Sequence, residues 1–131
     1  MDPLTYKIIH LIGLMGLFSA IGCLVAADVR KPATLRNFTI AHGVSLLLLL
    51  VSGFGMLAKY PYHISSTWII AKIVIWGLMG ASLVILKRRL LPAGAAWALT
   101  IALGIAAAVL AVKKPGNKFK EIPSPATSLS E

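Results

Sequence analysis

Residues 37–58 read NFTIAHGVSLLLLLVSGFGMLA, a run without a single charge, closed by Arg36 on one side and Lys59 on the other. A helix rises ~1.5 Å per residue, so a stretch of ~20 apolar residues matches the ~30 Å hydrocarbon core of a bilayer. Working outward, the uncharged stretches 8–27, 73–86 and 90–112 repeat this pattern, and the second extends back to about Ile64 across the lone Lys72. Four crossings occupy most of a chain of 131 residues and leave no room for a soluble domain. Composition agrees: 58% of the residues are hydrophobic and 13% charged, about half the ~25% charge of an ordinary soluble domain.

Helices are the default spanning form because each backbone group finds its partner inside the segment. The sequence predicts an all-α membrane protein, an up-and-down four-helix transmembrane bundle over residues 1–114, with spans near 5–27, 37–58, 65–86 and 92–112. Residues 115–131 are Pro/Ser-rich and too poor in apolar side chains to order themselves, which predicts a disordered polar tail. Pro32 disfavours helix in the first connection, Tyr60 and Tyr62 suit a water–lipid boundary in the second, and Pro92 suits a first helical turn.

The net charge of +9 flanks apolar spans rather than covering a folded surface. It therefore implies membrane anchoring and no nucleic-acid partner. An even number of spans puts both termini on one side. Arg30, Lys31, Arg36, Lys87, Arg88 and Arg89 share one face, and Lys7, Lys59, Lys113, Lys114, Lys118 and Lys120 the other, six against six. The compact basic loops 28–36 and 87–91 are expected to be cytoplasmic in a bacterial inner membrane, with the termini opposite, because charges close to span ends dominate. The start Met1-Asp2-Pro3 lacks a basic region, so the first span is expected to be retained, not cleaved. Gly22-Cys23 is a poor lipoprotein site, because Ala20-Ile21 precedes it, and Cys23 reads as a small core residue.

Ionisable groups inside a bilayer are costly and are functional candidates by default. Here they are His10, His42 and Lys72, with His63 just outside. No carboxylate lies in a span, so a proton-coupled exporter lacks its central part and hydrolytic constellations lack theirs. His10 and His42 each lie about five residues into antiparallel spans, so their depths differ by roughly 18 Å. Two axial imidazoles on one iron sit on the order of 4 Å apart, which rules out a shared haem. Lys72, by contrast, falls within a few ångströms of the depth of His10. Trp68, Lys72 and Trp76 are spaced i, i+4, i+8, putting both indoles beside the ammonium. The plain alternatives are that Lys72 snorkels to the headgroups, that His10 is an interhelical hydrogen-bonding residue, and that His42 is structural beside the basic loops.

Tyr6-Lys7-Ile8-Ile9-His10-Leu11-Ile12-Gly13, Trp68-Ile69-Ile70-Ala71-Lys72 and Ala111-Val112-Lys113-Lys114 resemble segments of the small bacterial membrane protoporphyrinogen oxidases and the related copper-resistance D-type membrane domains. The resemblance covers about three quarters of the chain by eye. It implies that His10 and Lys72 belong to a b-type haem or porphyrin site, with His10 the candidate ligand to haem iron; the depth and spacing of His63, Trp68 and Trp76 make them secondary candidates. The chain departs from that pattern. Helix one ends Val25-Ala26-Ala27 without a second histidine, the following loop is short, helix three continues Met79-Gly80-Ala81-Ser82 in place of a Tyr-His pair, and Leu91-Pro92 replaces an acidic run before helix four. Whether the chain is an enzyme stays open. Two readings follow: a haem- or porphyrin-binding redox protein, or a non-catalytic accessory subunit without cofactor. The second would pack against other membrane subunits or its own copies through Gly13, Gly16, Gly22, Gly77, Gly94 and Gly104.

Overall fold

In the computed structural model, which describes residues 1–26 and 31–120, the chain is a four-helix up-and-down bundle: α1 Pro3–Ala26, α2 Pro32–Lys59, α3 Thr67–Arg88 and α4 Ala93–Lys113. Each helix is long and apolar enough to cross a membrane, and the chain is a multi-pass membrane protein. Residues 27–30 and 121–131, hence part of the first basic loop and most of the expected tail, lie outside the described residues.

The helix ends follow local chemistry. Asp2 caps α1: its Oδ1 accepts the Thr5 N–H and the Thr5 hydroxyl, both at 2.7 Å. The Thr5 bonds hold the Asp2 carboxyl below its ordinary value, so the cap is intact at neutral pH and is lost only as pH falls through that lowered value. α2 starts at Pro32 and not near residue 37, because proline is well tolerated in a first turn, where its missing N–H has no helical partner. Arg36 is therefore helical. Pro92 stands just ahead of α4, at its N-cap.

The longer α2 moves His42. It stands ten residues into the helix, ~15 Å from the start and a little over a third of the way along, with Arg36 ~9 Å nearer the basic loop. Its ring is 1% exposed, and neither ring nitrogen has a hydrogen-bond partner. The buried residues of α2 are His42, Ser45, Leu49 and Ser52, one row at i, i+3, i+7 and i+10. Ile40, Val44, Leu47 and Val51 face outward and are more than half exposed. Helix α2 thus turns polar groups inward and apolar groups to lipid, as a bilayer requires. Leu17 and Ile21 of α1, Leu49 of α2 and Met79 of α3 form the apolar core. Exchange of His42 for leucine is expected to raise stability in detergent by about 1–3 kcal/mol, because it removes two orphaned polar atoms at small change in volume. Denaturant unfolding checks this, and a lower stability would mean that the imidazole is partnered in the membrane.

The tail departs from its expected disorder as far as Lys120. His63 N–H donates to the Lys118 carbonyl and Lys120 N–H to that of Pro61, both at 2.8 Å, while Thr67 N–H reaches the Gly116 carbonyl at 3.3 Å. Fully buried Ser66 takes the Lys118 N–H on its hydroxyl at 2.8 Å. The backbone is satisfied by the 60–67 loop, and Phe119 packs on Tyr62 with ring centroids 5.9 Å apart. Gly116 makes the reversal at φ +63°, with the Thr67 hydroxyl where a Cβ would stand, 2.5 Å away; only glycine meets both demands.

Candidate functional site

The site lies at the bundle end where α1 and α3 begin and α2 and α4 finish. His10 is seven residues into α1, Lys72 five into α3, and Ser52 seven before the end of α2. At ~1.5 Å per residue these depths agree to about 3 Å.

His10 Nδ1 lies 2.9 Å from Ser52 Oγ. The Ser52 hydroxyl is 2.5 Å from the Leu48 carbonyl and 3.3 Å from that of Leu49. A carbonyl can only accept, so the serine proton goes to Leu48 and His10 Nδ1 must donate. That fixes the neutral tautomer: Nδ1 carries the hydrogen and Nε2 keeps a bare lone pair. The chain Nδ1–H to hydroxyl to carbonyl also holds the ring in place. It is the arrangement that orients a ligating histidine through its second nitrogen. Gly53 leaves space beside the ring, with the nearest His10 atom 3.8 Å from where a Cβ would be.

Lys72 stands within about 3 Å of the depth of His10 at the same bundle end. Its Nζ is 5.3 Å from the Trp68 ring centroid. Trp68 is buried and donates its indole N–H to Asn117 Oδ1 at 3.0 Å. On the other side Lys114 Nζ sits 5.9 Å from the same indole and 4.6 Å from the Tyr62 ring, and donates to the Tyr62 hydroxyl at 2.8 Å. Two lysines thus flank one indole. Asp2, the sole carboxylate among the described residues, is bound to Thr5, so neither ammonium has a carboxylate of this kind to neutralise it. An external anion would meet fixed cations here.

The other sequence candidates separate. Trp76 does not join Trp68 around Lys72; its indole N–H crosses to the Leu46 carbonyl at 3.0 Å and ties α3 to α2. His63 belongs to a groove with Phe54, Leu57 and Ala58, positions about 140–240° around α2 from Ser52, on the opposite face from His10. His63 also carries the opposite tautomer. Its Nδ1 accepts the Ser65 N–H at 3.2 Å and lies 2.6 Å from Ser65 Oγ, which leaves Nε2 protonated in the neutral ring and unfit to ligate. His42 is ~15 Å along α2 from Ser52. Ser52, Lys114 and Asn117 were not signalled as site residues in the sequence. Ser52 was in principle accessible, since its depth matches that of His10; Asn117 sits in a polar segment with no periodicity.

No group of three or more His, Cys, Asp or Glu side chains able to hold a metal ion occurs among the described residues. A self-contained metal centre therefore has no donor set there, whereas an iron that brings four porphyrin nitrogens asks the protein for one imidazole. His10 Nε2 fits that demand and Lys72 fits an anionic substituent. Comparison with known proteins found no family model, no curated protein and no solved structure that matches the chain.

Proposed function

We propose that the chain is a haem- or porphyrin-binding redox protein of the membrane, with His10 Nε2 as axial ligand to haem iron and Lys72 pairing a propionate carboxylate. The observation that carries this reading is the hydrogen-bond chain from His10 through Ser52 to the Leu48 carbonyl, which assigns the proton to Nδ1 and the lone pair to Nε2, at the depth of the Lys72 ammonium. A bound haem would supply one-electron chemistry; the residues of this chain would orient the ring, hold a proton at Nδ1 and neutralise the carboxylate. This reading agrees with the likeness of the His10 and Trp68–Lys72 segments to the small bacterial membrane protoporphyrinogen oxidases; with it we propose a bacterial inner membrane, the compact basic loops cytoplasmic by the positive-inside rule.

The direct test is titration of the detergent-purified full chain with haemin and with protoporphyrin IX, recording oxidised and reduced spectra. Saturable binding near one equivalent, with a Soret band shifted from that of free haemin, is expected. Absorbance indistinguishable from haemin in empty micelles would discard the reading.

A second reading, an accessory subunit that packs against partners, is favoured by one observation. Among the described residues, nothing beyond the glycine's own helix backbone and chain neighbours lies within 4 Å of a Cβ added at Gly22, Gly43, Gly77 or Gly94, so four small-residue positions stay available for another helix.

A further inference from the structure

On the face of α2 away from His10, the returning 116–120 segment helps close a groove of ≈ 310 Å³. Phe54, Leu57, Ala58 and Ile64 are its apolar lining, and Tyr62, His63 and Lys120 line it with polar groups. Phe54 and Ile64 are 44% and 50% exposed, so the wall opens outward where a spanning helix meets lipid. The groove also sits at the last turn of α2, next to Tyr60 and Tyr62, at the depth where hydrocarbon gives way to water.

His63 and Lys120 both offer donors. The Ser65 N–H occupies His63 Nδ1, so the neutral ring offers Nε2–H. The Lys120 backbone is held by its bond to Pro61 and beside the Tyr62–Phe119 bridge, which brings its side chain to the groove. A cation and a neutral N–H lining one groove at the membrane boundary suit the two non-bridging oxygens of a phosphodiester. The apolar lining suits an acyl chain. A free phosphate would use only the polar groups.

We infer that this groove binds an anionic phospholipid, its phosphodiester on Lys120 and His63 and an acyl chain along Phe54, Leu57 and Ile64. The site is independent of the haem reading, since neither His10 nor Lys72 takes part.

The test is native mass spectrometry of the full chain in mixed micelles, comparing phosphatidylglycerol with phosphatidylcholine of the same acyl chains. About tenfold tighter retention of phosphatidylglycerol is expected: both lipids carry the phosphodiester, but the choline cation of phosphatidylcholine neutralises it and is repelled by Lys120. Lys120→Gln should abolish the preference, His63→Phe should reduce it, and Lys31→Gln, at the opposite end of the bundle, should leave it intact. Inorganic phosphate in excess should not displace the lipid. Equal retention of the two lipids by the unaltered chain, a preference that survives Lys120→Gln, or displacement by inorganic phosphate would each overturn the inference.

Discussion

Replacing His10 with alanine is expected to weaken haem binding by more than ~100-fold, while Ser52→Ala, which leaves the imidazole in place, costs about 10–100-fold. The two effects have different origins. Alanine at 10 removes the ligand atom itself. Alanine at 52 removes the acceptor for Nδ1–H, so the ring is free to turn and to carry its proton on either nitrogen, and only part of the population presents a bare Nε2. Soret titrations of both variants separate the cases, and added imidazole should restore a haem spectrum to His10→Ala but not improve Ser52→Ala. Lys72→Gln should act more weakly and Lys72→Arg should recover most of the loss, because a cation near a carboxylate contributes affinity without forming the iron bond. Unaltered titrations for His10→Ala would remove His10 from the site whatever the lysine variants do.

How far the site was legible in the sequence follows from what kind of geometry each residue depends on. Depth along a helix is arithmetic, and the level match of His10 with Lys72 could be read from span starts, as could the separation of His10 from His42. Rotation about a helix axis is not available where every face is apolar: α1, α3 and α4 carry almost no amphipathic signal, and the inward row His42, Ser45, Leu49, Ser52 stands out only once packing is known. The start of α2 was missed by five residues because Pro32 can open a helix as well as break one. The ordering of 116–120 was missed because it depends on a non-local exchange of backbone hydrogen bonds with residues 61–67, for which composition gives no sign.

The glycines show why packing had to be seen before the partner question could be posed. Gly13 and Gly104, which the sequence offers as partner-facing positions, are used within the chain. A Cβ at Gly104 would stand 2.4 Å from Phe18 Cζ, and one at Gly13 would meet Leu48 Cβ and the Ser45 carbonyl at 3.2 Å and Leu49 Cγ at 3.3 Å. At Gly13 all three obstacles belong to α2 and one of them is helix backbone, so the clash cannot be relieved by turning a flexible side chain aside. Gly13→Leu is therefore expected to push α1 from α2, the tightest pair in the bundle, and to destabilise the fold by about 3 kcal/mol, the upper part of the usual range for overpacking. Gly94→Leu, where among the described residues nothing beyond its own helix backbone and chain neighbours lies within 4 Å of an added Cβ, should leave the unfolding of the isolated chain in detergent within about 0.5 kcal/mol of the original. The pair of variants separates internal from external use of small residues. Loss of a co-purifying subunit or of a homo-oligomer in Gly94→Leu, with unfolding unchanged, would favour the accessory-subunit reading. An assembly that survives Gly94→Leu and fails only in Gly13→Leu would mean that its loss merely reports a broken bundle, because Gly13 is enclosed by the chain's own second helix.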